Sequence, residues 1–187
     1  MRFLIMGPPG VGKGTQAKNL SIYFNISHLS TGEILREEIN KKTEIGLKSA
    51  KFIDKGQLVP DNILLNIVKI YISKKEYLNG YILDGFPRTI PQAEGLDKIL
   101  FDFNQKLNLV INLKADEEEL VNRLSLRSKV DGRSDDNPKT IKNRQKIYWE
   151  QTAPLLEYYR SKQILKEING VGDISKITNL IIQSIDK

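Results

Sequence analysis

The first twenty residues constrain this chain more than any other stretch. A short apolar run, Phe3–Met6, meets a loop carrying Gly7, Gly10 and Gly12, then Lys13, then a helix-like segment. Four consecutive apolar residues have the character of a buried parallel strand. The glycines let the backbone turn tightly and aim its N–H groups inward, where a Cβ would obstruct them. Lys13 can reach the outer phosphates of a bound nucleotide, and the following helix offers the positive end of its dipole. Gly10, Val11, Gly12, Lys13, Gly14 and Thr15 are therefore candidate polyphosphate-binding residues. The strict phosphate-loop pattern G-x-x-x-x-G-K-[ST] is met at Gly7, Gly12 and Lys13, but Gly14 takes the hydroxyl position and Thr15 follows it. The alternative is an ordinary glycine-rich strand–helix turn. The strand before the loop and the helix after it weigh against that.

Composition narrows the partners. A length of 187 residues suits one domain with small excursions, and 40% apolar with 28% charged residues is ordinary for a soluble globular chain. With no cysteine, disulfides and thiolate-held metals are excluded, and a single histidine excludes a multi-histidine site. The N-terminus offers no secretory apolar region, and no run approaches the ~20 apolar residues of a membrane span. The expectation is a cytoplasmic protein without a membrane partner. The net charge of +6 suits nucleic acid or small polyanions. The lysines are scattered over helix-like surfaces (Lys41, Lys42, Lys74, Lys75, Lys162, Lys166), and no aromatic-studded basic stretch is present. Nucleotides are thus expected as partners, and nucleic acid is not.

Along the chain, strand-like runs at Phe3–Met6, His28–Ser30, Tyr81–Leu83, Leu109–Leu113 and Ile164–Ile168 alternate with helix-like segments near 14–24, 31–40, 61–76, 90–101, 116–127, 138–161 and 173–186. This predicts an α/β fold, a five-stranded parallel sheet with helices on both faces and ligands at the carboxyl ends of the strands. Gly7, Ser30 and Asp84 all fall at such ends. Residues 30–60 read as a helical insert after the second strand, opened by a capping box at Ser30–Glu33. The polar stretch 127–137 reads as a short lid between two helices. The rest, 1–29, 61–126 and 138–187, is expected to form the core.

Asp84 closes an apolar strand, where a phosphate-loop fold places the carboxylate serving Mg²⁺. Four motifs, taken together, then resemble the adenylate kinases: Gly7-Pro-Pro-Gly-Val-Gly-Lys-Gly-Thr-Gln16, Ser30-Thr31-Gly32-Glu33-x-x-Arg36, Asp84-Gly-Phe-Pro-Arg88-Thr-x-x-Gln92 and Gly132-Arg133-x-Asp135-Asp136. They run in order over essentially the whole chain. The resemblance implies a three-layer P-loop NTPase fold with an AMP-binding insert and a lid. It also implies Mg²⁺-dependent transfer of a phosphoryl group from ATP to AMP, giving two ADP, by a monomer.

It further implies roles. Arginine's planar fork pairs two phosphate oxygens at once. Arg36 and Arg88 would hold the AMP phosphate, Arg127 would lie along ATP, and Arg123, Arg133 and Arg144 would close on the transferring group, followed by Lys13. Gln57, Leu58, Val59, Gly85, Phe86 and Pro87 would complete the AMP pocket, with a cis peptide bond before Pro87. Gln92 and Thr31 would recognise AMP, since an amide matches the adenine edge. Thr31 also reads as a helix cap. With Gly14 replacing the hydroxyl, Mg²⁺ would be held by phosphates and waters, with Asp84 acting through water. The short lid, without cysteine, excludes a four-thiolate zinc site. Gly172 would approach the ATP adenine. Asp135 and Asp136 read either as lid acids or as caps for the helix at Pro138. His28 and Trp149 read as structural.

Two rivals remain. A UMP/CMP kinase shares most motifs, but pyrimidine-type relatives usually carry Ala at Thr31 and Asn-rich residues where this chain has Thr89-Ile-Pro-Gln92. A nucleotide-dependent switch would bind ATP without transfer and would not need six arginines along two pockets.

Overall fold

The computed structural model describes residues 1–131 and 137–185. Among these residues, five strands form a wholly parallel sheet: β1 (Arg2–Met6), β2 (Ser27–Ser30), β3 (Tyr81–Asp84), β4 (Leu109–Lys114) and β5 (Leu165–Asn169), in the order β2-β3-β1-β4-β5. Nine α-helices cover them in the described residues: α1 (Lys13–Phe24), α2 (Thr31–Asn40), α3 (Glu44–Ile53), α4 (Asp61–Ile72), α5 (Ile90–Asp102), α6 (Glu117–Asp131), α7 (Pro138–Ile147), α8 (Leu155–Ser161) and α9 (Ile174–Ile185).

The central strands β1, β3 and β4 are mostly apolar because both sheet faces are covered there, while the edge strands β2 and β5 carry polar residues. Side chains alternate across the sheet, so β1 sends Leu4 and Met6 into one core and Phe3 and Ile5 into the other. The first core packs Leu64, Val68 and Ile72 of α4, Leu96 and Leu100 of α5, and Leu155 and Tyr159 of α8. The second packs Ala17 and Leu20 of α1, Leu120 of α6, and Ile177 and Ile181 of α9. Full burial of each such side chain contributes on the order of 1.5–3 kcal/mol. Register aligns Ser30 and Ile5 with Asp84, which gathers the ends of β1, β2 and β3 at one edge.

Between β2 and α4, α2 and α3 form a tight helical hairpin. Thr43 caps α3 by accepting from the Gly46 N–H at 3.1 Å. A Cβ on Gly46 would stand 2.1 Å from the Glu38 carbonyl oxygen, so only glycine permits this approach. Ser30, not Thr31, caps α2, with its hydroxyl accepting from Glu33 N–H at 3.4 Å. The cap of α7 is Asn137, accepting from Thr140 N–H at 3.0 Å.

Three expected helix limits differ. The segment 61–76 ends as α-helix at Ile72, where polar residues interrupt the apolar period and the Ser73 hydroxyl turns back to the Ile70 carbonyl at 2.8 Å. The expected lid boundary at 127 falls inside α6, which continues to Asp131 without a glycine or proline to stop it. The segment 138–161 is not one helix. It widens into a π-helical turn at Tyr148–Thr152 and resumes as α8 after Pro154, which supplies no N–H and crowds the preceding turn.

Candidate active site

A cleft of about 750 Å³ opens at the carboxyl ends of β1 and β3, lined by the loop 7–15, Asp84, Arg36, Arg88, Arg123, Arg127 and Arg144. The loop is shaped by positive φ at Gly7, Gly10 and Gly12 (140°, 91° and 99°), a region other residues rarely adopt. Lys13 opens α1 and folds its ammonium back along the loop, donating to the Gly7 carbonyl at 2.7 Å and the Pro8 carbonyl at 3.0 Å. Burial pushes its pKa down to about 7, opposed by Asp84 and reinforced by the positive charges of Arg88, Arg144 and Arg127. This is a concentration of cationic charge around the buried carboxylate of Asp84.

That carboxylate, Asp84, ends β3 and is 8% exposed. Burial would raise its carboxyl, but a hydrogen-bonded His28 and the charge of Lys13 outweigh this and hold it below its usual range. His28, from β2, stands with Nε2 at 3.4 Å from Asp84 Oδ2. Thr31 is buried and donates its hydroxyl to the Asp84 carbonyl at 3.4 Å. The next residues form a sharp turn with a cis Phe86–Pro87 peptide, as the resemblance implied. Arg88 is fixed there at three backbone or side-chain atoms: its Nε donates to the Gly85 carbonyl at 2.7 Å, its N–H to Gln92 Oε1 at 2.7 Å, and its carbonyl accepts from Thr152 Oγ1 at 2.9 Å.

A smaller recess of about 60 Å³ shares the cleft's wall and is lined by Thr31, Arg36, Gln57, Leu58, Val59, Gly85, Arg88 and Arg144 among others. Arg36, Arg88 and Arg144 thus border both spaces. The continuous element 138–152 spans them. Thr140 and Asn143 donate to the Asp54 and Lys55 carbonyls at 3.4 and 2.8 Å, Gln145 donates to the Pro9 carbonyl at 3.1 Å, and Thr152 grips Arg88. The π-helical turn keeps Tyr148 and Thr152 buried while Trp149 faces out.

Most residues singled out in the sequence converge here. Gly10, Val11, Gly12, Lys13, Gly14, Thr15, Phe86, Pro87 and Gly172 line the larger cleft. Arg133, Asp135 and Asp136 lie outside the described residues. Two placements differ from expectation. Arg123 lines the larger cleft but is tied at its wall: its Nε donates to Glu119 Oε1 at 2.6 Å and its Nη1 to the Gly170 carbonyl at 3.0 Å. Arg127, one turn later on α6, is the arginine whose charge reaches Lys13. Gln92 lines neither space. It is fully buried, its Nε2 donating to Asp61 Oδ1 at 2.7 Å while its Oε1 holds the Arg88 N–H.

Several contributors have no local signal in the sequence. His28, Asp61, Gln145 and Thr152 act across separations of 56, 31, 136 and 64 residues. Gln16 is another: it joins α1 to α9 by donating to the Ile174 carbonyl at 3.1 Å and accepting from Thr178 at 2.7 Å.

Comparison with known proteins agrees with this arrangement. The family model described as Adenylate kinase matches residues 5–164. An adenylate kinase from Methanothrix thermoacetophila is 44% identical, with the alignment covering 100% of this chain and 99% of that protein. One from Leptospira biflexa is 46% identical over 98% of this chain and 99% of its own length. One from Bifidobacterium longum is 46% identical over the full length of both.

Proposed function

This chain belongs to the adenylate kinase family, an ATP:AMP phosphotransferase that converts ATP and AMP to two ADP, and on that premise we propose how its residues divide the work. Phosphoryl transfer needs positioning and neutralisation of charge on the transferring oxygens more than covalent chemistry. The observation that carries the assignment is the convergence of Lys13, Arg88, Arg127 and Arg144 on one point beside a single buried carboxylate. Such a cluster attracts an anion of several charges.

ATP lies along the loop 10–15, with its phosphates on the loop N–H groups and Lys13. Arg127 follows the phosphates. Arg123, tied to Gly170, frames the nucleoside end with Gly172, in place of the expected closure on the transferring group. AMP enters beside Thr31, Gln57, Leu58 and Val59, with Arg36 and Arg88 on its phosphate and Arg144 between the two nucleotides. Arg133 joins them from the lid. A recess of about 60 Å³ is far smaller than a nucleotide, so the hairpin α2–α3 moves as AMP binds. Residues 30–60 are then the AMP-binding unit and 127–137 the lid, both working against the core. Gln92, buried beneath the pocket, would act on AMP through Arg88, whose N–H its Oε1 holds.

Mg²⁺ arrives as part of the ATP substrate. The donor set fits this: one ionised carboxylate, no hydroxyl at position 14, and no group of three metal-ligating side chains among the described residues. Asp84 would orient the ion's waters, with His28 fixing the carboxylate. The enzyme is proposed to work as a cytoplasmic monomer, and no helix among the described residues is long and apolar enough to cross a membrane.

A coupled assay tests the assignment. Turnover is expected to be fastest with AMP among AMP, CMP and UMP. Thr31→Ala and Arg36→Ala should raise KM for AMP several-fold and leave KM for ATP nearly unchanged. Equal effects on both substrates would overturn the division into two pockets.

A further inference from the structure

We propose that Gln145 is a positioning residue that orients the Gly10 N–H of the phosphate loop toward the bound polyphosphate. Pro8 and Pro9 carry no N–H, so Gly10 supplies the first backbone donor of the loop after Gly7. The Pro9–Gly10 peptide is trans, and in a trans peptide the carbonyl and the next N–H point in opposite directions in one plane. Whatever holds the Pro9 carbonyl therefore sets the direction of the Gly10 N–H. Its holder is Gln145, whose Nε2 donates to that carbonyl at 3.1 Å.

Three further observations support this role. Gly10 has φ of +91°, a conformation in which the peptide plane needs an outside restraint because glycine itself imposes little. Gln145 is 5% exposed, and its Oε1 is buried without a hydrogen-bond partner among the described residues. An apolar residue at this buried position would avoid that unpaired oxygen, so the amide is retained at a cost in stability, and the Pro9 bond is what it provides. The residue before it, Arg144, borders both nucleotide spaces. One turn of α7 thus places an arginine between the two spaces and sets the Gly10 donor of the loop.

The proposal rests on the assignment of this loop as the cradle for the ATP phosphates, and the test separates the two. In the intact enzyme, titration with ATP and Mg²⁺ should move the Gly10 amide proton strongly downfield. If it does not move, the cradle assignment fails. Gln145→Leu keeps the volume and removes the donor, and Gln145→Glu keeps the shape and removes the donor differently. Both should raise KM for ATP roughly ten-fold, the equivalent of one lost hydrogen bond to a charged group. KM for AMP should stay within about two-fold, and the Gly10 shift on ATP binding should shrink in both variants. If a folded variant keeps the wild-type KM for ATP and the full Gly10 shift, Gln145 does not position the loop. A parallel rise in both KM values, or failure of both variants to fold, assigns Gln145 to general stability and also overturns the proposal.

Discussion

Lys13 should bind a proton when ATP binds. Its pKa stands near 7, depressed first by burial and then by Arg88, Arg144 and Arg127. At pH 8 roughly nine-tenths of the side chains are then neutral, and at pH 6 roughly one-tenth. A neutral amine still has two N–H groups, enough for the Gly7 and Pro8 carbonyls. A phosphate charge at ~4 Å, with an effective dielectric near 20, favours the ammonium by about 4 kcal/mol. That equals about three pKa units and restores a pKa near 10. Binding of MgATP should therefore take up about 0.9 proton at pH 8 and about 0.1 at pH 6. Calorimetry in two buffers of different ionisation enthalpy reads this number directly. Lys13→Met should abolish the uptake at pH 8. A slope near zero at pH 8 would refute the burial reasoning, and uptake that survives in Lys13→Met would assign the proton to another group. The same depression makes the unfolded chain the better proton binder between pH 7 and the ordinary lysine value. Lys13's contribution to stability is therefore present at high pH and lost as pH falls through 7.

Three other outcomes follow from the geometry. Arg88→Ala should leave the fold intact by circular dichroism but lower kcat about 10²–10³-fold, because the proposed clamp on the AMP phosphate would lose its charge; near-normal turnover would remove Arg88 from that clamp. Gly46→Ala should destabilise the α2–α3 hairpin by about 1–3 kcal/mol, since its Cβ meets the Glu38 carbonyl oxygen at 2.1 Å, and an unchanged denaturant midpoint would show that the helices can separate freely. A two-sided adenosine-pentaphosphate analogue should raise Tm well above the effect of ATP or AMP alone, by binding both spaces of the folded state; equal shifts would argue against adjacent pockets.

The β-strands and their order of appearance were legible because buried parallel strands carry unbroken apolar runs, as in Phe3–Met6 and Tyr81–Leu83. The loop 7–15 was legible for a different reason: its function depends on backbone shape, and glycine and lysine at fixed spacing announce that shape locally. The Asp84–Arg88 turn was legible in the same way. Helix ends were less so. The π-helical turn at 148–152 depends on which residues the packed sheet buries, and neither Tyr148 nor Thr152 signals it alone.

By itself, then, the sequence determined the parallel α/β class, the phosphate loop and the set of arginines available to neutralise a nucleotide. The folded chain decided where each arginine stands. Arg123 and Arg127 are indistinguishable as residues four apart on one helix, yet a single turn ties one to the Gly170 carbonyl and brings the other toward Lys13. The fold also turned Gln92 inward onto Asp61, set His28 against Asp84 and brought Gln145 to Pro9. These are single hydrogen bonds between residues far apart in the chain. Local propensity and apolar periodicity carry no information about such pairs, because their partners meet only after the sheet has formed and its two faces have been covered.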